Sequence, residues 1–118
     1  MSTVIDIYKI QFVKKFLINE YIKTISSPNS VLDQFITDYR TPNNVNNFLL
    51  SEINNVLNGI SSAETLISES MISVIVSSNI SKFYQDPDYS VTDNPDYSMP
   101  TQDLKEIAEA WMSYLASN

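Results

Sequence analysis

Met71-Ile72-Ser73-Val74-Ile75-Val76 decides the fold class, because its four β-branched residues suit a buried strand while its apolar run suits a core-facing helix. Two features predict helix. The stretch to which it belongs runs from Ala63 to Tyr84, beyond ordinary strand dimensions. A lone strand also needs a partner, and no second segment has the same character. Just upstream, Ser61-Ser62-Ala63-Glu64 has the form of a capping box, in which the Ser61 hydroxyl and the Glu64 carboxylate satisfy backbone donors reciprocally. Gly59, the only glycine, stands where the preceding helix should stop.

Outward from there the same logic favours helices throughout. One glycine leaves the chain few residues suited to the positive φ angles of tight hairpin turns. Ser27-Pro28 and Thr41-Pro42 read as N-caps followed by proline at the first helical position, and Thr101 after Pro100 reads as the last cap, with Asp103 in the first turn. From Val4 to Ile25 apolar residues occupy most faces, as in a central helix. Val45, Phe48, Leu49, Ile53, Val56, Leu57 and Ile60 keep helical spacing, and so do Leu104, Ile107, Trp111, Tyr114 and Leu115. The expectation is an all-α fold, a single compact domain over residues 1–118 with about five helices and a long acidic loop before the last. Its core would draw on Phe12, Phe16, Leu17, Phe48, Leu49, Ile53, Val74, Ile75, Ile107 and Trp111.

Charge is polarised along the chain. Residues 86–118 hold seven acids against Lys105 alone, whereas the first 85 residues hold seven acids against six bases. An acidic patch on a nearly neutral body steers association with a basic partner, although acidic loops also serve solubility. Seven dispersed Lys and Arg argue against direct nucleic-acid binding. With 43% hydrophobic and 18% charged residues the chain is expected to fold. No cysteine, no basic-then-apolar leader and no run of roughly 20 apolar residues point to a cytoplasmic protein without export or a membrane span.

Between Tyr84 and Thr101 three prolines and four aspartates predict a loop, and Asp86-Pro87-Asp88-Tyr89-Ser90 is echoed by Asn94-Pro95-Asp96-Tyr97-Ser98. A loop of this length is usually functional or disordered. Asp86, Asp88 and Ser90 match the first ligand positions of a calcium loop, but Val91 stands where glycine is needed and Tyr97 where a bidentate glutamate belongs. No metal and no cofactor is therefore expected. Without histidine or cysteine there is no Ser-His-Asp triad, Cys-His dyad or ordinary zinc site, so the chain reads as a binding protein and not an enzyme. Asp103, Glu106 and Glu109 share one side of the last helix, which is more simply a solvated face than a pair of glycosidase carboxylates. Tyrosines interleaved with aspartates can supply anchor and charge together, or merely tie the loop to the core.

The segment from Met99 to Leu115, with its Pro100-Thr101-Gln102-Asp103 opening, Glu106, Glu109, Trp111 and Tyr114-Leu115 ending, resembles the closing helix of bacterial contact-dependent growth inhibition immunity proteins. With the acidic, tyrosine-containing loop before it, the resemblance covers about a quarter of the chain. The resemblance implies a small cytoplasmic protein, monomeric when free, that binds the basic toxin domain of a delivered effector, often a nuclease, and neutralises it one-to-one. The expected contact set is Asp86, Asp88, Tyr89, Asp93, Asp96 and Tyr97, extended by Glu106 and Glu109. Two other readings are a helical adaptor or structural subunit, marked by an exposed apolar face, and an acidic nucleic-acid mimic, which should spread its carboxylates over a longer surface.

Overall fold

The structure, a computed structural model that describes residues 3–85 and 94–117, is mixed α/β and not all-α. In chain order a short helix α1 (Val4–Ile7) leads into strands β1 (Gln11–Leu17) and β2 (Glu20–Ser26), helix α2 (Ser30–Thr37) and helix α3 (42–57). Strands β3 (Ala63–Ile67), β4 (Ser73–Ser77), β5 (Ile80–Tyr84) and β6 (Tyr97–Pro100) follow, and helix α4 (Thr101–Ala116) closes the described chain. Strands β1 and β2 make a two-stranded hairpin, and β3-β4-β5-β6 make an antiparallel sheet in that order.

Met71-Ile72-Ser73-Val74-Ile75-Val76 therefore belongs to a strand with two partners. Leu66 stands opposite Val74 on one side, and Val74 opposite Phe83 on the other. The stretch from Ala63 to Tyr84 exceeds strand length because it holds three strands. Its first turn places Met71 at φ 65°, with the Ser68 N–H donating to the Ile72 carbonyl at 3.0 Å. Ser61 through Glu64 does not cap a helix, since Ala63 and Glu64 already pair with Ser77 and Val76.

The long first helix is also replaced. Thr3 and Asp6 form a true capping box, but Tyr8 ends the helix and Lys9 follows at φ 54°. Past Ile10 the chain turns back on itself through Ile18 and Asn19, at φ 48° and 66°. A two-residue type I′ turn needs positive φ at both positions, which Asn tolerates and a β-branched Ile resists. Scarcity of glycine thus did not exclude hairpins; other residues accept the conformation. Ser27 is not a helix cap either: Asn29 accepts the Leu32 N–H, while Ser27 donates its N–H and hydroxyl to Asp33.

Helix α3 begins as expected, with Thr41 accepting the Asn44 N–H and Pro42 in the first position. It passes through a π-helical stretch, Val45–Leu50, and resumes as α-helix over Ser51–Leu57. The wider turn buries Val45, Leu49 and Leu50 and leaves Phe48 exposed. Gly59 at φ 77° ends it, as expected. Thr101 opens α4 but does not cap it; fully buried, its hydroxyl bonds the Ser77 carbonyl and the Ser81 hydroxyl.

The core lies where α2, α3 and α4 meet the sheet. Leu32, Phe35, Ile36, Leu49, Ile53, Val74, Phe83, Leu104, Ile107 and Trp111 are fully enclosed. Phe35 meets Phe83 edge-on at 5.5 Å, and the Trp111 Nε1–H donates to the Tyr39 carbonyl at 2.7 Å. Of the expected core, Phe16, Leu17 and Phe48 are exposed, and Phe12 and Ile75 are half-buried. Phe16 and Leu17 fail because a hairpin reaching past the body has no core beneath it. No helix among the described residues is long and apolar enough to cross a membrane.

Candidate functional site

Strands β5 and β6 converge at a closed neck. The Asp96 N–H donates to the Phe83 carbonyl at 2.8 Å, and the Asp96 carboxylate accepts the Gln85 N–H at 2.7 Å. Asp86, Asp88, Tyr89 and Asp93 lie outside the described residues. The two expected contact residues at the neck differ in character. Asp96 is exposed, whereas Tyr97 is half-buried opposite Phe83, its ring 5.6 Å from that of Phe83. Tyr97 thus anchors the neck to the core and offers only part of its surface.

Beside the neck the first turn of α4 meets the N-terminal segment. The Tyr8 hydroxyl donates to Asp103 Oδ2 at 2.7 Å. Burial pushes the Tyr8 phenol above its ordinary pKa, reinforced by the hydrogen bond to Asp103, by the Asp103 charge and by Tyr97. Tyr97 is raised as well, by burial first and then by the charges of Asp103 and Asp33. Tyr8 and Tyr97 wall a recess of about 340 Å³ that is also bounded by Lys9, Pro28 and Leu32. Its lining thus joins two phenols to the cation of Lys9, with Asp33 and Asp103 behind the phenols. Asp103, Asp33 and Tyr8 were not in the expected contact set; only the acid-rich opening of α4 hinted at them.

Glu106 and Glu109 are exposed on α4, and among the described residues neither makes an ion pair or side-chain hydrogen bond. The described residues contain no group of three or more carboxylates placed to hold a metal ion. Asp96, Asp103, Glu106 and Glu109 thus follow one another from the neck along α4. The exposed apolar residues Phe16, Leu17, Ile18 and Tyr21 gather elsewhere, on the hairpin. No protein-family model, curated protein or solved structure matches this chain.

Proposed function

We propose that the chain is a stoichiometric inhibitor, an immunity protein that binds the basic toxin domain of a contact-dependent growth inhibition effector one-to-one and covers its active site. It acts in the cytoplasm, is monomeric when free and turns over no substrate. The observation that carries this reading is the acidic run of Asp96, Glu106 and Glu109, exposed at the neck and along α4 and without an ion pair among the described residues, in a third of the sequence that also holds Asp86, Asp88 and Asp93. A nuclease domain gathers phosphates with Lys and Arg, and carboxylates fixed on a folded frame compete for the same cleft. Their field steers encounter and weakens with salt.

The test is to look beside the gene for a contact-dependent growth inhibition effector and measure whether this chain protects cells against its toxin domain; the lack of any such effector counts against the reading. Changing Asp86, Asp88, Asp93 and Asp96 to Asn and Glu106 and Glu109 to Gln keeps side-chain size and removes six charges. Protection and complex formation should both be lost, with the circular dichroism spectrum unchanged. Arg40→Gln, at an exposed site whose 3.7 Å ion pair with Glu69 is worth little, should protect fully. Undiminished protection by the six-charge variant, or suppression of the toxin at well below equimolar amounts, overturns the reading.

A further inference from the structure

We propose that the β1–β2 hairpin tip is a membrane-surface anchor that inserts its apolar apex among the headgroups of anionic phospholipid. Ile18, at the apex, is 96% exposed, and Phe16, Leu17 and Tyr21 are 59%, 49% and 66% exposed. These four are not one face of a ribbon. Phe16 and Tyr21 pair across one face with rings 4.9 Å apart, Leu17 points to the other, and Ile18 crowns both. An apex apolar all round suits insertion into a yielding medium better than docking against a flat protein surface.

The collar behind the apex is basic. Lys14 and Lys15 lie four and three positions before Ile18, which at strand rise places them roughly 13 and 10 Å behind the apex, near the depth at which interfacial segments exchange apolar contact for headgroup contact. Lys14 Nζ lies 4.8 Å from the Tyr21 ring centre, a pairing of ammonium and aromatic suited to the headgroup layer. Glu20, exposed opposite Leu17, limits how deep the tip can sink. The turn itself is costly, because Ile18 occupies φ 48° where Asn or Gly would sit without strain, and no contact with the body holds it there.

Placement sets the tip apart from the acidic neck. Lys23 Nζ donates to the carbonyls of Tyr114, Leu115 and Ser117, so the Lys14–Lys23 rung lies at the C-terminal end of α4 and the tip extends past it. Asp103 and the neck lie at the other end. Asp103 stands thirteen residues from Ala116, about 20 Å along the axis and more than two Debye lengths at physiological salt, while the exposed Glu109, seven residues or about 10 Å from that end, is the acid of α4 nearest the lysine rung.

The experiment is co-sedimentation of the whole protein with phosphatidylcholine vesicles containing about one-third phosphatidylglycerol, against pure phosphatidylcholine. The parent should pellet with the mixed vesicles, and binding should fall at least about tenfold on pure phosphatidylcholine and for the Leu17→Ser/Ile18→Asn double variant. Lys14→Gln/Lys15→Gln should bind several-fold more weakly. Ile18→Asn alone relaxes the turn, so its loss of binding in a protein of parental or higher stability separates anchoring from folding. The proposal fails if the parent stays in the supernatant, or if the double variant pellets as well as the parent. It fails too if the tip proves to join two copies, seen as a parental dimer that the double variant dissociates while neither binds vesicles.

Discussion

Asp38 is a buried carboxylate near the end of α2, and it fastens the turn between β3 and β4. Its oxygens accept the Ser70 N–H at 3.0 Å, the Ser70 hydroxyl at 2.9 Å and a Gln34 N–H at 2.8 Å. Burial works to raise its pKa, but the nearby Ser68 hydroxyl, which lacks hydrogen-bonding geometry, and the bonded Ser70 and Gln34 donors outweigh it and hold the carboxyl below its ordinary 3.8. Asp38→Ala leaves enclosed donors unmet and should cost about 1 to 3 kcal/mol in urea unfolding. Because the folded pKa is depressed, this contribution is present above the ordinary value and drains away as pH falls through the folded one. Parent and variant midpoints should converge in acid; a gap independent of pH would mean that the charged form is not what the site holds. Ile18 gives the opposite sign. Ile18→Asn puts a residue tolerant of positive φ at the turn and should raise stability by about 1 kcal/mol, read from the same denaturation.

Among the elements, the junction of β6 with α4 depends on Thr101 in a way that its position does not suggest. A cap threonine replaced by valine would loosen one helix end by about 1 kcal/mol. Buried Thr101 instead joins Ser77 and Ser81 to α4, so Thr101→Val should cost up to about 3 kcal/mol and speed hydrogen exchange in β4 and β5 as well as in the helix. Which elements were legible follows from how far apart their causes lie. The Thr41-Pro42 start, the Gly59 stop and the stripe of α4 are written within one or two turns of chain, and they stand. Strand identity at Val74 is set by Leu66 and Phe83, eight and nine positions away, and those segments carry enough serine, threonine and lysine to hide their alternation. The first hairpin was missed for a different reason, since Ile18 breaks the turn chemistry that would have announced it. At the site, the acids of α4 were plain, but the Tyr8–Asp103 bond joins residues 95 positions apart, and no periodicity reports such a meeting.

For the whole molecule, far-ultraviolet circular dichroism should show a mixed α/β spectrum with one cooperative unfolding transition; a purely helical spectrum would contradict the two sheets. Alkali should destabilise the fold. Tyr8, Tyr39 and Tyr97 all have raised phenol pKa values, Tyr39 to about 12 through burial and then the Asp38 charge. A raised folded pKa gives stability that is complete below the ordinary value of 10.0 and is lost as pH climbs through the folded one. Urea midpoints should therefore decline above pH 10, and Tyr8→Phe, which loses the bond to Asp103 at about 1 kcal/mol, should decline less steeply. The neck between Gln85 and Asp96 carries a consequence of another kind. The Asp96 N–H reaches the Phe83 carbonyl and the Asp96 carboxylate takes the Gln85 N–H, so the described frame closes at the neck itself. A library with randomised residues 86–93 should accordingly yield mostly folded clones whose recognition, and not whose solubility, has diverged.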